Sequence, residues 1–251
     1  MRKIFCRIIM AGVVLGSGVF ILNREVSTKQ GINYHVYTRK IPVYLKLLDL
    51  YDRHYNYRYL VRKLVDKNDS YRQKAIKLLA WSYQNIYTQP KELPVIDDHV
   101  WHIIVRGYGT AEQFSDVFST LCNYAGMPAF FSYVHSQSKE TITFSFVRIG
   151  DGIFVFDAYR GIYFETDSGE LASTEDILAG NWKPKNIAPL KNTPVEYLEY
   201  FKNMPVDMLK YSSLRPQIQS PWQRFVFEFS KLFRNNAKRK YYRLTRGYFD
   251  F

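Results

Sequence analysis

The chain has 251 residues, a formal net charge of +12 and two cysteines, with 47% hydrophobic and 17% aromatic residues. This composition excludes a wholly disordered chain, two cysteines exclude a disulfide-built scaffold, and the length suits one domain with extensions and a self-sufficient core. The positive charge is unevenly placed: residues 90–180 carry −8 and the segments on either side carry +20, so the best-patterned region is acidic, which speaks against a nucleic-acid-binding domain.

Arg2, Lys3 and Arg7 precede fifteen uncharged residues, 8–22. A basic start before such a run reads as a signal anchor over residues 1–24, with the N-terminus cytoplasmic and the bulk of the chain extracytoplasmic, periplasmic or on the cell surface. The apolar continuation Val19-Phe20-Ile21-Leu22 argues for an anchor that is not cleaved. Cys6 lies before the run, which does not suit a lipoprotein cysteine.

Residues 25–37 read as a polar linker and 38–94 as a helical extension. Pro42 opens an apolar-periodic stretch through Val43, Leu47, Leu48 and Tyr51, and residues 59–65 continue it. Asp69 and Ser70 are candidate caps for a helix over about 71–87, with Ala75, Leu78, Leu79 and Ser82 on one face. Pro90 and Pro94 end it. The basic residues among these helices read as a solvated face.

Residues 95–180 carry the clearest pattern. A short amphipathic element at 97–106 is followed by Gly107-Tyr108-Gly109. Phe114, Val117, Phe118, Leu121 and Cys122 then recur at helical spacing, and Gly126 and Pro128 close that helix. Strand signals follow at 129–134 and 141–149, the latter alternating Ile142, Phe144 and Phe146 against Thr141, Thr143 and Ser145. Gly150-Asp151-Gly152 reads as a hairpin turn, 153–156 as the return strand, and 163–171 as a further turn and short strand. Residues 181–251 read as helical and basic, broken at Pro205, Pro216 and Pro221. Aromatics and cations interleave there from Phe225 to Arg243. The fold class is α+β.

Three blocks agree in order with one family. The first is Gly109-Thr110-Ala111-Glu112-Gln113-Phe114, continuing to Phe118 and Leu121. The second is Gly126-Met127-Pro128-Ala129, and the third runs from Asp151 through Gly152 and Ile153 to Asp157. Over residues 95–175 this resembles the transglutaminase-like, papain-like superfamily, which implies a helix packed on an antiparallel sheet. In that family a Cys at the helix start is the nucleophile, a His on the following strand activates it, and an Asp orients the His. Here the resemblance puts Ala111 at the Cys position, Thr143 at the His position and Asp157 at the Asp position. A methyl group cannot attack a carbonyl, and no histidine follows His135. The resemblance therefore implies a degenerate site with no catalytic residues, in which Trp101, Gly109, Glu112 and Gln113 are candidate cleft-lining positions.

The same sequence offers few substitutes. Cys122 lies eleven residues beyond Ala111, roughly 16 Å along a helix at about 1.5 Å per residue, too far to replace a thiol there. His135 falls at the end of a strand near a polar turn. Glu112 and Asp116 share a helix face at i, i+4, without a matching base. Asp97, Asp98, His99 and His102 have helical metal-ligand spacing but no third ligand elsewhere. Capping and packing beside Trp101 is the plainer reading, so neither a metal nor a cofactor is expected.

The expected function is that of an inactive, membrane-tethered binding or scaffolding module, with a protein or polysaccharide ligand and a setting in cell-envelope or surface-polysaccharide assembly. Two alternatives stand beside it. One is an active cysteine hydrolase or acyl transferase with a non-standard nucleophile. The other is a peripheral module binding acidic glycan or membrane surface through the basic C-terminus. The partners expected are the membrane, through the N-terminal helix, and one such ligand.

Overall fold

The computed structural model describes residues 2–32, 35–95, 99–189, 194–202, 204 and 215–232. It is a mixed α and β structure whose main sheet is antiparallel. The chain opens with helix α1 (Arg2–Asn23), whose span Ile4–Asn23 is not buried against the rest of the chain and is, by length and composition, able to cross a membrane. Strands β1 (Glu25–Ile32) and β2 (His35–Pro42) follow as an antiparallel hairpin. This corrects the linker expected over 25–37. In β1 the β-branched Val26, Thr28 and Ile32 fall on one face, and in β2 Val36 and Thr38 do the same, a period-2 pattern that outweighs the polar composition.

Helix α2 (Val43–Leu64) starts directly after Pro42, which precedes its first turn instead of lying in it, and runs unbroken through the continuation read at 59–65. Helix α3 (Tyr71–Asn85) is opened by a capping box in which Ser70 and Gln73 satisfy each other's backbone N–H groups. Asp69, the other candidate cap, instead accepts from Lys77 Nζ at 2.7 Å. Ala75, Leu78, Leu79 and Ser82 are buried as their spacing predicts.

Helix α4 (Val100–Arg106) ends at Gly107, whose φ of +77° lets the chain turn back. Strands β3 (Tyr87–Thr88) and β4 (Tyr108–Gly109) pair in parallel and set the entry to α5 (Ala111–Tyr124). Residues 113–122 of α5 are all buried. A helix buried all round needs packing on every side. Here α2, α3 and α4 lie on one side and strands β5 (Ala129–His135) and β6 (Thr141–Ile149) on the other.

The sheet continues through β7 (Gly152–Asp157), β8 (Ile162–Glu165) and β9 (Lys183–Asn186), in chain order and antiparallel throughout. β9 was not read from the sequence: Lys183-Pro184-Lys185-Asn186 lacks apolar alternation because it is an exposed edge strand, where Pro and Lys are tolerated. Helices α6 (Thr174–Leu178), α7 (Tyr197–Phe201) and α8 (Pro221–Leu232) complete the described chain, with a 3-10 turn at Gln217–Gln219. Of the expected C-terminal features, Pro205 and the basic run 238–243 lie outside the described residues.

Each face of the sheet has its own core. On the α5 side, Phe114, Val117, Phe118 and Leu121 meet Val147 and Phe156, and Tyr57, Val61, Leu78 and Leu79 from α2 and α3 join the same cluster. The expected boundary at 94/95 is therefore crossed by a shared core. On the other side Phe144, Phe146, Val155 and Phe164 pack with Tyr197, Tyr200 and Phe201 of α7. The core likewise continues past residue 180.

Candidate functional site

The start of α5 is built by backbone economy. Gln113 folds back so that its Oε1 accepts from the Thr110 N–H at 3.1 Å. A Cβ at Gly109 would lie 2.7 Å from that same oxygen, so the folded-back cap requires glycine there. Ala111 is the first residue of the helix and is half-buried. Its methyl group stands where the resemblance places a thiol.

Glu112, the next residue, is hydrogen-bonded to the Tyr133 hydroxyl of β5. Burial first, and then this carboxylate, push the Tyr133 hydroxyl far above its ordinary range. Tyr133 is the cross-strand partner of Thr143. Two residues along β6, Ser145 Oγ donates to the Ser115 carbonyl of α5 at 3.4 Å. Since alternate strand residues share a face, Thr143 also lies on the α5 side, and it is buried. The structure thus brings the Ala111 and Thr143 positions to the same end of α5, with the Tyr133–Glu112 contact beside them.

Asp157 is placed differently. Phe154 and Phe156 lie on the α5 side, where Phe156 meets Phe118 at 5.2 Å between ring centroids. Val155 lies on the opposite side, and Asp157 follows it in the alternation. Its carboxylate is fully buried. Oδ2 accepts from the Tyr197 hydroxyl at 2.8 Å and from the Arg160 guanidinium at 3.0 Å, and Oδ1 accepts from the Arg160 N–H at 3.0 Å. Burial raises its pKa while Arg160 and the hydrogen bonds oppose that shift. These bonds of the carboxylate hold the turn after β7 and helix α7. None orients a group at position 143.

The remaining candidates are dispersed. Cys122 is fully buried in the core, and desolvation pushes its thiol well above the usual range. His135 is exposed at the hairpin end of β5, with Nδ1 2.8 Å from Thr141 Oγ1. Trp101 packs edge-to-face on Tyr57 with centroids 5.3 Å apart, and Gly109 and Gln113 are buried in the cap just described. Among the described residues, no group of three His, Cys, Asp or Glu side chains is placed to hold a metal. Asp97 and Asp98 lie outside the described residues. His99 and His102 stack edge-to-face at 5.5 Å.

Sequence spacing missed one feature, a buried polar cluster between α2, α4 and α5. Glu112 and Asp116 share a helix face, but they serve different partners. Asp116 is 3% exposed and receives Arg215 Nε at 2.7 Å from about a hundred residues downstream. Arg53, buried on α2, pairs with Asp49. His99 is held down to about 4, first by burial and then by the charge of Arg53 and by His102. The Tyr57 hydroxyl, fully buried nearby, is raised by burial and then by Asp116. Asp49–Arg53 is a local i, i+4 pair, whereas the other partners come from elements far apart in sequence.

No protein-family model matches the chain, and no curated protein matches it. Solved structures similar to part of it include the following three. One is a candidate cysteine protease from Cytophaga hutchinsonii, at 18% identity over 56% of this chain and 50% of that one, with a TM-score of 0.38. A second is a TGase, at 13% identity over 53% of this chain and 43% of that one, with a TM-score of 0.36. The third is a candidate protease from Parabacteroides distasonis, at 13% identity over 68% of this chain and 41% of that one, with a TM-score of 0.36. The chain spans half or less of the length of each of these structures.

Proposed function

We propose that this chain is a catalytically inactive, transglutaminase-like binding or scaffolding module, tethered to a membrane by α1, with its bulk on the extracytoplasmic side. The observation that carries this reading is Ala111 at the start of α5, in a helix whose cysteine is buried eleven residues away. Without a thiol at the helix start, neither the helix dipole nor a neighbouring base has a nucleophile to activate. The Tyr133–Glu112 contact and the bonds of Asp157 support the same reading, because both groups serve folding contacts. The membrane tether is supported by the length and apolarity of α1 and the basic residues before it. A protein or polysaccharide ligand in envelope assembly remains the class of partner proposed.

The test is an electrophilic thiol probe on the native full-length protein, followed by mass spectrometry and assays of amide hydrolysis. Cys122 is expected to label only after unfolding, and no amide turnover is expected. Labelling of native Cys122 with parallel loss of a measurable amidase activity would establish the active cysteine hydrolase instead.

A further inference from the structure

We propose that the outer face of α2, together with the exposed face of α8, is a docking surface for the bilayer that α1 enters, lying in its headgroup region and favouring anionic lipid. This rests on the tether reading above and extends it from a single helix to a face of the folded domain.

The observation is a stripe that the core does not use. Tyr44, Leu48, Tyr51, Tyr55 and Tyr59 follow one another at spacings of four, three, four and four, which puts them on one side of a helix. The residues α2 buries, Arg53, Tyr57 and Val61, lie on the other side. Leu48, Tyr55 and Tyr59 are 61–64% exposed, and a run of five large apolar or aromatic side chains on one face marks an interaction surface. On α8, which packs against α2, Trp222 and Phe225 stack with ring centroids 5.9 Å apart and are 72% and 58% exposed.

Continuity with α1 selects the occupant. The Val43 N–H donates to the Arg24 carbonyl at 2.9 Å, so the first residue of α2 is tied to the residue just beyond the end of α1. Lys46 Nζ donates to the Ser27 carbonyl at 2.8 Å and holds the same junction. Where α1 leaves a bilayer, α2 therefore begins at headgroup level. Tyr and Trp are the side chains that suit that layer, since each joins an apolar ring to a polar edge. Arg58, Arg62 and Lys63 flank the stripe, and Lys63 Nζ lies 5.5 Å from the centre of the Tyr59 ring. Long cationic side chains beside an apolar stripe can reach anionic headgroups while the rings enter the interface.

The experiment uses the full chain in a Cys6→Ser background, reconstituted into vesicles of phosphatidylcholine with phosphatidylglycerol. Spin labels are placed singly through Leu48→Cys, Tyr55→Cys and Phe225→Cys. Val105→Cys and Leu178→Cys, at exposed sites on α4 and α6, serve as aqueous references. Leu15→Cys reports on α1. The ratio of collision with oxygen to collision with an aqueous nickel reagent is expected to be several-fold higher at 48, 55 and 225 than at 105 and 178, and to fall when phosphatidylglycerol is omitted. Equal ratios at all five positions overturn the docking surface, and a ratio insensitive to lipid charge overturns its anionic preference. Strong dipolar broadening at 48 and 55 that vanishes on dilution with unlabelled chain would assign the face to a second copy and overturn the proposal. The label at 15 separates the two readings. Lipid exposure there with water at 48, 55 and 225 defeats docking and leaves the tether, whereas water exposure at 15 defeats the tether and with it the bilayer as the occupant that continuity with α1 selects.

Discussion

The two faces of the five-stranded sheet carry different kinds of side chain for different tasks. On the α5 face, β6 presents Thr143, Ser145 and Val147 to a helix that itself offers Ser115 and Ser119, and Ser145 bonds to a helix carbonyl. On the opposite face it presents Ile142, Phe144 and Phe146 to an aromatic cluster in which Phe144, Phe164, Tyr197 and Phe201 meet one another. Small polar residues let a helix lie close against a sheet, while large rings fill the wider space under short helices and loops. The positions that resemble a catalytic pair, 111 and 143, fall on the first face. Asp157, which looks from the sequence like the surviving third member, works on the second. There its carboxylate anchors a turn and a helix.

That division can be broken most directly at Asp157. Asp157→Ala leaves Arg160 and the Tyr197 hydroxyl without their buried acceptor, and a loss of about 3–5 kcal/mol is expected in denaturant unfolding. A near-neutral result would mean that the carboxylate is a relic with no structural task. The next largest effect concerns pH on the α5 side. The folded state holds His99 down to about 4, below its ordinary value near 6.5, so between those limits the unfolded chain binds more protons. Stability from this residue is therefore complete above about pH 6.5 and is lost as pH falls toward 4, by about 3 kcal/mol in all. Unfolding midpoints measured across that window should fall with acid, and His99→Gln should flatten the slope. If the slope is unchanged in the variant, the histidine is not desolvated as the structure shows.

A smaller effect is expected at the contact that ties the C-terminal segment to α5. Arg215→Ala leaves Asp116 buried without this cation, at a cost of about 1–3 kcal/mol, and faster proteolysis beyond residue 215 is expected with it. The smallest effect is at the helix start. Ala111→Cys should change stability by no more than about 0.5 kcal/mol, because a half-buried methyl gains one sulfur atom. Its thiol should react with iodoacetamide, yet Ala111→Cys combined with Thr143→His should not hydrolyse amides. Turnover by that double variant would show that Asp157 can still serve the α5 face.

Several parts of this fold were legible because their signals are local. The Ser70 cap of α3, the strand over Thr141–Ile149 and the turn read at Gly150-Asp151-Gly152, whose last residue begins β7, depend on neighbours in sequence. The hairpin β1–β2 was local too, but its alternation was hidden by charge. β9 was illegible because an edge strand needs only backbone partners. The partners of the site residues were illegible for another reason. Glu112 turns to Tyr133 and Asp116 to Arg215, and neither distance along the chain is a helical or strand period.

What the sequence determined by itself is therefore chemical identity and periodicity: no thiol at position 111, no histidine after 135, an apolar first helix able to span a bilayer, and a helix followed by antiparallel strands. These follow from residue type and from the fixed repeats of helix and strand. Only the tertiary structure decided which face each residue serves. It turned Asp157 away from α5, gave Asp116 a cation from the far end of the chain, and left the tyrosine stripe of α2 uncovered beside α1. Those outcomes depend on how elements distant in sequence are packed, and no local rule encodes a contact whose partner lies a hundred residues away.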